Sequence, residues 1–432
     1  MTERPLIVNV MPHGPAYEFA PGERPDVAWA RTDGSCVGFW KREWPDLLGA
    51  AVLRATDRYA WEVWQPDLRA DREYAETLET GVVHRLFPAI ERPYRRGVRR
   101  WPGLYSEPVL RRLGALRERR SLLVLHGFRV PFYGTLLDRV GPDRSWPILL
   151  VGHGVCTVPS TELWGLHRPL TYLDLALEDR RLRRELRRAD AVTAQSTYAA
   201  REIGKVYRGP IERLTMGCDF DFWRSVPDKD LKRSLRAARG IGPSTLVLFA
   251  SGNFVPEKQF DCLVEAVDRV RAGADILLVL AGHGDARQTE ALAALVRRLR
   301  QPARVLINPY VTGERLRELY WSADMYVSTS TAEGSSVAVM KAMACGLPVL
   351  TTPVGETWER MRAHGVGAVV PVRDYAGWTR AFEEIMAGAM PPPMDPTVAQ
   401  AAYDWSHVAT RFVRLVEALL GGGRAGVALR EA

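Results

Sequence analysis

Ala332-Glu333-Gly334-Ser335-Ser336-Val337 runs on to Met343-Ala344-Cys345-Gly346-Leu347-Pro348-Val349, and it follows Asp324-Met325-Tyr326-Val327-Ser328-Thr329-Ser330. The order reads as strand, acidic residue, glycine, two small hydroxyl residues, then helix. A helix N-terminus leaves backbone N–H groups unpaired and carries partial positive charge, so it receives phosphate or another anion. Glu333 beside it can accept hydrogen bonds from hydroxyls. The combination suits a ligand that is part phosphate and part polyol.

Strand-like runs extend on both sides of this stretch, with helical patterns between most of them. Before it lie Leu6 to Val10, Trp61 to Trp64, Leu122 to Leu125, Ile148 to Val151 and Ala191 to Ala194. A second series is Leu246 to Ala250, Ile276 to Ala281, Val305 to Ile307, Met325 to Ser328 and Val349 to Thr352. Apolar strands alternating with helices imply parallel sheets covered on both faces. Two series predict two α/β domains, with boundaries at 1–215 and 216–395 and a final segment 396–432. In that segment Tyr403-Asp404-Trp405-Ser406 opens a helix with Ser406 as its N-cap. Ligands in open α/β sheets bind beyond the C-terminal ends of the strands. Two such domains facing one another would form a cleft, and the candidate residues lie just after strands.

The bulk numbers agree with this organisation. A chain of 432 residues suits two domains. Its 47% hydrophobic and 25% charged residues are ordinary for a globular protein. No run approaches the roughly 18 apolar residues of a membrane span, and the N-terminus lacks signal-peptide features. Cys36, Cys156, Cys218, Cys262 and Cys345 are scattered and odd in number, which predicts a reducing, cytoplasmic setting. Cys262 and Cys345 read as buried small hydrophobes. The +8 charge is concentrated in arginine clusters around Arg92–Arg100, Arg111–Arg120 and Arg180–Arg188. These read as solvated helix faces, or as attractors of an anionic substrate or lipid headgroups that permit peripheral contact with the inner membrane face. Aromatic residues do not interleave with them as a nucleic-acid stacking platform needs, so no nucleic-acid partner is expected.

Several residues after strands are candidates for chemistry. Gly34 precedes a helical pattern beginning near Val37 and reads either as a loop touching a ligand or as a plain turn. His153-Gly154 follows Ile148 to Val151, where the imidazole can bond a sugar hydroxyl or an attacking group; His126-Gly127 occupies the same kind of place one strand earlier. Neither histidine has the spacing partners of a metal site, and no metal is expected. In Gly252-Asn253-Phe254-Val255-Pro256-Glu257-Lys258, Lys258 lies just before a helix opening at Phe260 and can neutralise phosphate. Gly284 could let a nucleotide approach, and backbone groups near Tyr310 and Val311 could meet the edge of a base. Lys341, two helical turns beyond Glu333, can lie near the same face.

Together these pieces resemble a retaining, nucleotide-sugar-dependent glycosyltransferase of the GT-B fold, in glycosyltransferase family 4 (glycosyltransferase group 1). The resemblance covers almost the whole chain and is strongest from about Gly217 to Gly355. It rests on Gly217-Cys218-Asp219 with Phe222, Pro256-Glu257-Lys258, Gly282-His283-Gly284, Leu319-Tyr320-Trp321-Ser322-Ala323-Asp324, Glu333-Gly334, and Ala342 to Val349 with Thr352-Pro353-Val354-Gly355. It implies two Rossmann-like domains facing across a cleft, with a C-terminal helix crossing back to brace the first. The second domain would bind the donor: Lys258 its phosphates, Glu333 the sugar hydroxyls, and the N–H groups of Gly334, Ser335, Ser336 and Val337 its oxygens. His153 would contribute from the first domain, which would bind most of the acceptor. The resemblance implies a nucleotide-diphosphate sugar as co-substrate with no further cofactor, and a small-molecule, glycan or lipid-linked acceptor. The sequence leaves the oligomeric state open.

Two positions depart from the family pattern. Asn253 stands where an arginine is usual, and Lys341 where a second glutamate usually accepts hydrogen bonds from ribose hydroxyls. Lysine only donates. Three readings stay open: Lys341 replaces the missing arginine charge, the donor is an unusual phosphorylated sugar, or the chain is a non-catalytic sugar-phosphate binding module.

Overall fold

Five consecutive buried residues, Leu6–Val10, form the strand about which the first sheet is wound. The computed structural model describes residues 3–13, 28–29, 38–39, 44–92, 94–96, 99–101, 103–128, 130–140, 144, 146–153, 180, 182–226, 228–284, 286–309 and 311–422. Gly34, Gly154, Tyr310, Cys36 and Cys156 lie outside them. The chain divides into two units, one of Met1–Thr215 with Trp405–Ala432 and one of Met216–Asp404.

Across the first unit's sheet the strands run Ile211–Arg213, Ala191–Ala194, Ile148–Val151, Ser121–His126, Leu6–Val10, Ala60–Asp67, Val83–Pro88 and Tyr74–Thr77. Every neighbouring pair is parallel except the last, where Tyr74–Thr77 runs antiparallel to Val83–Pro88. The fully buried strands Ile148–Val151 and Ala191–Ala194 match their sequence reading end for end because both faces are covered. From Leu6–Val10 the chain first builds outward through Ala60–Asp67, then returns to lay down Ser121–His126 on the opposite side. The order therefore reverses between Leu6–Val10 and Ser121–His126, the kind of crevice that receives ligands in such sheets.

The return helix Trp405–Leu420 belongs to this unit. Its Phe412 packs 6.2 Å from Trp44 and 5.5 Å from Trp61 between ring centres, and Glu417 pairs with Arg58 at 2.6 Å. Ser406 lies inside the helix rather than capping it, and Pro396–Tyr403 is a separate helix retained by the second unit. Two further readings are corrected. The segment after Val37 is not helical: Gly38–Phe39 pairs antiparallel with Ala28–Trp29, and the helix starts at Trp44. Arg95, Arg96, Arg99 and Arg100 sit on a two-stranded hairpin, not on a helix face. In the other clusters Arg184 pairs with Asp138 at 2.9 Å. In the Arg111–Arg120 cluster Arg112 reaches Glu73 at 3.0 Å and Arg119 reaches Glu3 at 3.1 Å. Much of that positive charge is neutralised locally.

The second unit repeats the principle with six parallel strands in the order Val305–Pro309, Ile276–His283, Leu246–Asn253, Met325–Ser328, Val349–Thr351 and Ala368–Val369. Its order reverses between Leu246–Asn253 and Met325–Ser328. Cys262 is wholly buried on the helix Phe260–Arg269, and burial pushes its thiol up to about 12. Cys345 is buried at the end of the helix Val337–Ala344, where burial likewise raises its thiol. Both therefore serve as packing. Among the described residues no helix is long and apolar enough to cross a membrane.

Asp324 ties this sheet to its flanking helix. Its Oδ2 accepts from the Val247 N–H at 2.9 Å and meets Arg236 at 2.6 Å, while Oδ1 meets Lys232 at 2.9 Å. Burial pushes the carboxyl up, but those three donors outweigh it and hold it below its ordinary value. A carboxyl depressed in the folded state stabilises it above the unfolded pKa of about 4, and that contribution is lost as pH falls through the folded value. Asp324→Asn should flatten the dependence of the second unit's melting temperature on pH below about 4. An unchanged acid slope would refute the role given to Asp324.

Candidate functional site

Lys258 and Glu333 are 75 positions apart in the chain, yet their side chains form an ion pair. Each follows one of the two strands that flank the second unit's reversal point. After Leu246–Asn253 the chain makes a single 3-10 turn, Pro256–Lys258, and Gln259 then adopts a left-handed conformation at φ 47° before the helix Phe260–Arg269 begins. Thr329 fixes this turn from across the crevice: its hydroxyl donates to the carbonyls of Lys258 at 2.7 Å and Gln259 at 3.0 Å. The Thr331 N–H adds a bond to the Glu257 carbonyl at 2.8 Å. The short strand-end hydroxyls thus lock the lysine loop to the glutamate loop.

Glu333 is held in turn. Ser330 donates to its Oε1 at 2.7 Å, on the oxygen that Lys258 also meets. Gly355 stands at φ 78°, and a Cβ there would come within 2.8 Å of the Glu333 Cβ. Only glycine both adopts that backbone and leaves the glutamate its place. Lys258 and Glu333 keep side-chain exposures of 25% and 14%, enough for a ligand to compete for both.

The helix Val337–Ala344 starts beside this pair in the chain, with Ser336 in the capping position but making no side-chain cap bond. Gly334, Ser335 and Ser336 are buried. The Ser335 hydroxyl is buried with no hydrogen-bond partner among the described residues. Unpaired N–H groups and an unsatisfied hydroxyl at a helix start are what a phosphate or sugar oxygen can complete.

The remaining expected residues distribute as follows. Asn253 ends its strand and is exposed. Gly284 follows Ile276–His283, and a Cβ there would stand 2.9 Å from that of Phe254, so close packing alone accounts for it. Val311 is half-buried against the second unit's core. Lys341 holds its ammonium 4.4 Å from the centre of the Trp223 ring, a cation–π geometry. Gly34 and Tyr310 lie outside the described residues.

In the first unit His153 follows Ile148–Val151, beside the reversal point of that sheet. Its Nε2 is 2.8 Å from Nδ1 of His126, the last residue of the neighbouring strand. Nε2 of His126 is 3.0 Å from Oδ1 of Asn9 on the next strand. Trp44 packs edge-on against both rings, with centres 5.1 and 5.6 Å away. Desolvation, and secondarily the neighbouring His153, lowers the pKa of His126 well below 6.5. Desolvation lowers the pKa of His153 as well, to about 4, while part of its surface stays exposed. Sequence reading passed over Asn9, although one polar residue inside an otherwise apolar, fully buried strand is a signal. It also passed over Ser330 and Trp44 as supports, since their partners lie far away in the chain.

Among the described residues no group of three or more His, Cys, Asp or Glu side chains comes together as a metal site.

Comparison with known proteins places this geometry. Residues 245–387 match the family model described as glycosyl transferases group 1. D-inositol 3-phosphate glycosyltransferase of Rhodococcus erythropolis is 27% identical over 51% of this chain and 52% of its own length. A GDP-mannose-dependent alpha-(1-6)-phosphatidylinositol monomannoside mannosyltransferase of Mycolicibacterium smegmatis is 28% identical over 56% of this chain and 64% of its own. The chain thus spans about half the length of the curated relatives it matches. Among solved structures, sucrose-phosphate synthase from Thermosynechococcus elongatus superimposes with a TM-score of 0.71 at 17% identity, covering 98% of this chain and all of the other. The Anabaena protein HepE in complex with UDP gives 0.66 at 15% identity, covering 96% of this chain and all of the other. At such identities the likeness shows the fold, two Rossmann-like units of the GT-B type.

Proposed function

We propose that this chain, whose residues 245–387 belong to the glycosyl transferases group 1 family, transfers a sugar from a nucleoside-diphosphate sugar to a hydroxyl acceptor with retention of configuration. The observation that carries this reading is the Lys258–Glu333 pair, backed by Ser330, at the strand-order reversal inside the matched region. One partner suits diphosphate oxygens and the other suits sugar hydroxyls, and each reaches its ligand by giving up part of the ion pair.

The chemistry follows from these roles. The bond between the anomeric carbon and the diphosphate oxygen breaks, and its electron pair leaves on that oxygen. Lys258 and the N–H groups from Gly334 to Val337 stabilise the charge that develops there. The acceptor oxygen bonds to the anomeric carbon on the same face, and its proton passes to the departing phosphate oxygen. Glu333 holds the sugar and is not the nucleophile. Double-displacement and hydrolytic schemes use two facing carboxylates, and Glu333 is the one carboxylate this reading assigns. On the first unit His153 meets a ligand hydroxyl. We place the reaction in the cytoplasm, with arginines not neutralised locally available to an anionic membrane face.

The test is calorimetric titration with nucleoside diphosphates, GDP and UDP among them, followed by turnover of the matching sugar nucleotides and determination of the product anomer. Inositol phosphates belong in the acceptor panel because the relatives' names point there. Micromolar binding of one nucleoside diphosphate and a retained anomer are expected; an inverted product would rule out the mechanism. A second reading, a non-catalytic sugar-phosphate binding module, is favoured by Lys341, whose charge rests over Trp223 where the family pattern has a ribose-binding glutamate. It predicts binding of sugar phosphates with no turnover.

A further inference from the structure

The chain of contacts from Asn9 through His126 to His153 has a direction, and that direction can be read from its buried end. The amide of Asn9 is wholly buried, and its Nδ2 donates to the Glu62 carbonyl at 3.3 Å. A carbonyl accepts only, so the amide NH2 belongs on that side and Oδ1 on the other. Oδ1 carries no proton, so the bond to His126 Nε2 at 3.0 Å requires Nε2–H on His126. Nδ1 of the neutral His126 ring is then bare and must accept from His153, whose Nε2 lies 2.8 Å away. The two imidazoles are tilted by only 12° with centres 5.0 Å apart. That is too far for a face-to-face stack at the roughly 3.5–4 Å of carbon contact, and fits two rings joined in one plane through a single N–H···N bond.

We propose that Asn9 and His126 are positioning residues that fix one neutral tautomer of His153, protonated at Nε2 and bare at Nδ1. The inference rests on the reading that His153 meets a ligand hydroxyl, and it says which way that bond runs: His153 accepts, and the hydroxyl donates. The opposite order would turn the Asn9 amide over and set its oxygen against the Glu62 carbonyl oxygen in a site without water access, leaving two buried acceptors facing each other. Two further contacts hold the relay still. The Tyr133 hydroxyl accepts from the backbone N–H of His126 at 3.2 Å and donates to the Val10 carbonyl at 2.7 Å, tying the two strand ends across the reversal point. Trp44, itself 4% exposed, closes one side of both rings.

The substrate class this favours is a hydroxyl presented as donor: an acceptor hydroxyl about to lose its proton, or a sugar hydroxyl that needs no cationic partner. No proton need leave through the relay, because Asn9 ends it in an amide that cannot take one.

The experiment reads the tautomer and not the turnover. Full-length protein labelled with 15N-histidine is observed by long-range 1H–15N correlation at neutral pH, with His153 assigned by its loss in His153→Gln. The expected pattern is a protonated Nε2 and an unprotonated Nδ1 on His153, and the same on His126. Asn9→Leu, close in volume but without an acceptor, should replace the single pattern by a mixture and lower kcat by about tenfold with the donor KM changed less than twofold. A wild-type His153 protonated on Nδ1 would overturn the proposal, and so would an unmixed, unchanged tautomer in Asn9→Leu. If the tautomer is as stated but no sugar nucleotide is ever turned over, the transferase reading fails and the relay stands.

Discussion

Glu333→Ala should lower kcat/KM by about 10²-fold or more, since each hydrogen bond to a charged group is worth roughly 1.5–3 kcal/mol and every 1.4 kcal/mol is tenfold. The carboxylate is the acceptor for Ser330 at 2.7 Å and the counter-charge of Lys258. Its removal takes away the acceptor for sugar hydroxyls and leaves Lys258 without its counter-charge. Melting temperature should hardly move, because the pair is partly open to solvent and such pairs contribute little to stability, about 0–1 kcal/mol. Steady-state kinetics beside a thermal melt separates the two effects. Turnover retained within a few-fold would remove Glu333 from the site and with it the donor-binding assignment. Glu333→Gln is the informative companion: it keeps the shape, and a comparable loss would show that the negative charge is what the sugar and Lys258 use.

The second large effect is on the fold itself. Gly252 and Gly282 face each other in register on the parallel strands Leu246–Asn253 and Ile276–His283. A Cβ on Gly282 would stand 1.8 Å from the Gly252 carbonyl oxygen and 3.1 Å from the Phe254 ring. The first of these is backbone inside a sheet, so no rotamer change relieves it and the strand ends must part. Gly282→Ala should therefore destabilise the second unit by about 3 kcal/mol or more. For a unit of this size that is a fall of roughly 6–12 °C in melting temperature. Donor affinity should fall with it, because the displaced strand end leads directly to the turn that carries Lys258. An unchanged melt with unchanged affinity would mean that the strands are not held at this spacing.

Much of this was legible in the chain. Ile148–Val151, Ala191–Ala194 and Met325–Ser328 were readable to the residue, since a strand buried on both faces is a short, mainly apolar run broken at most by a small hydroxyl residue. The strands Val83–Pro88 and Tyr74–Thr77 were not, because they lie at one edge of the first sheet, where half-buried positions admit Arg85 and Glu76, and the buried His84 is polar because it faces Asp46, so the apolar signal is diluted. The helix expected near Val37 failed for a related reason: a short stretch with glycine and aromatics satisfies both periods, and pairing with Ala28–Trp29 decides for strand.

The sequence by itself determined two α/β units built on parallel strands, the helix start after Gly334, and Lys258 and Glu333 as residues that follow strands. These rest on local periodicity and backbone chemistry, which neighbouring residues alone dictate. Only the tertiary structure decided that Glu333 is met by Lys258 rather than by Lys341, whose ammonium lies over the Trp223 ring. It alone brought Asn9, His126 and His153 into one line. Those choices depend on strand order: the two reversal points join residues 75 and 117 positions apart, and no local pattern encodes which strand ends become neighbours.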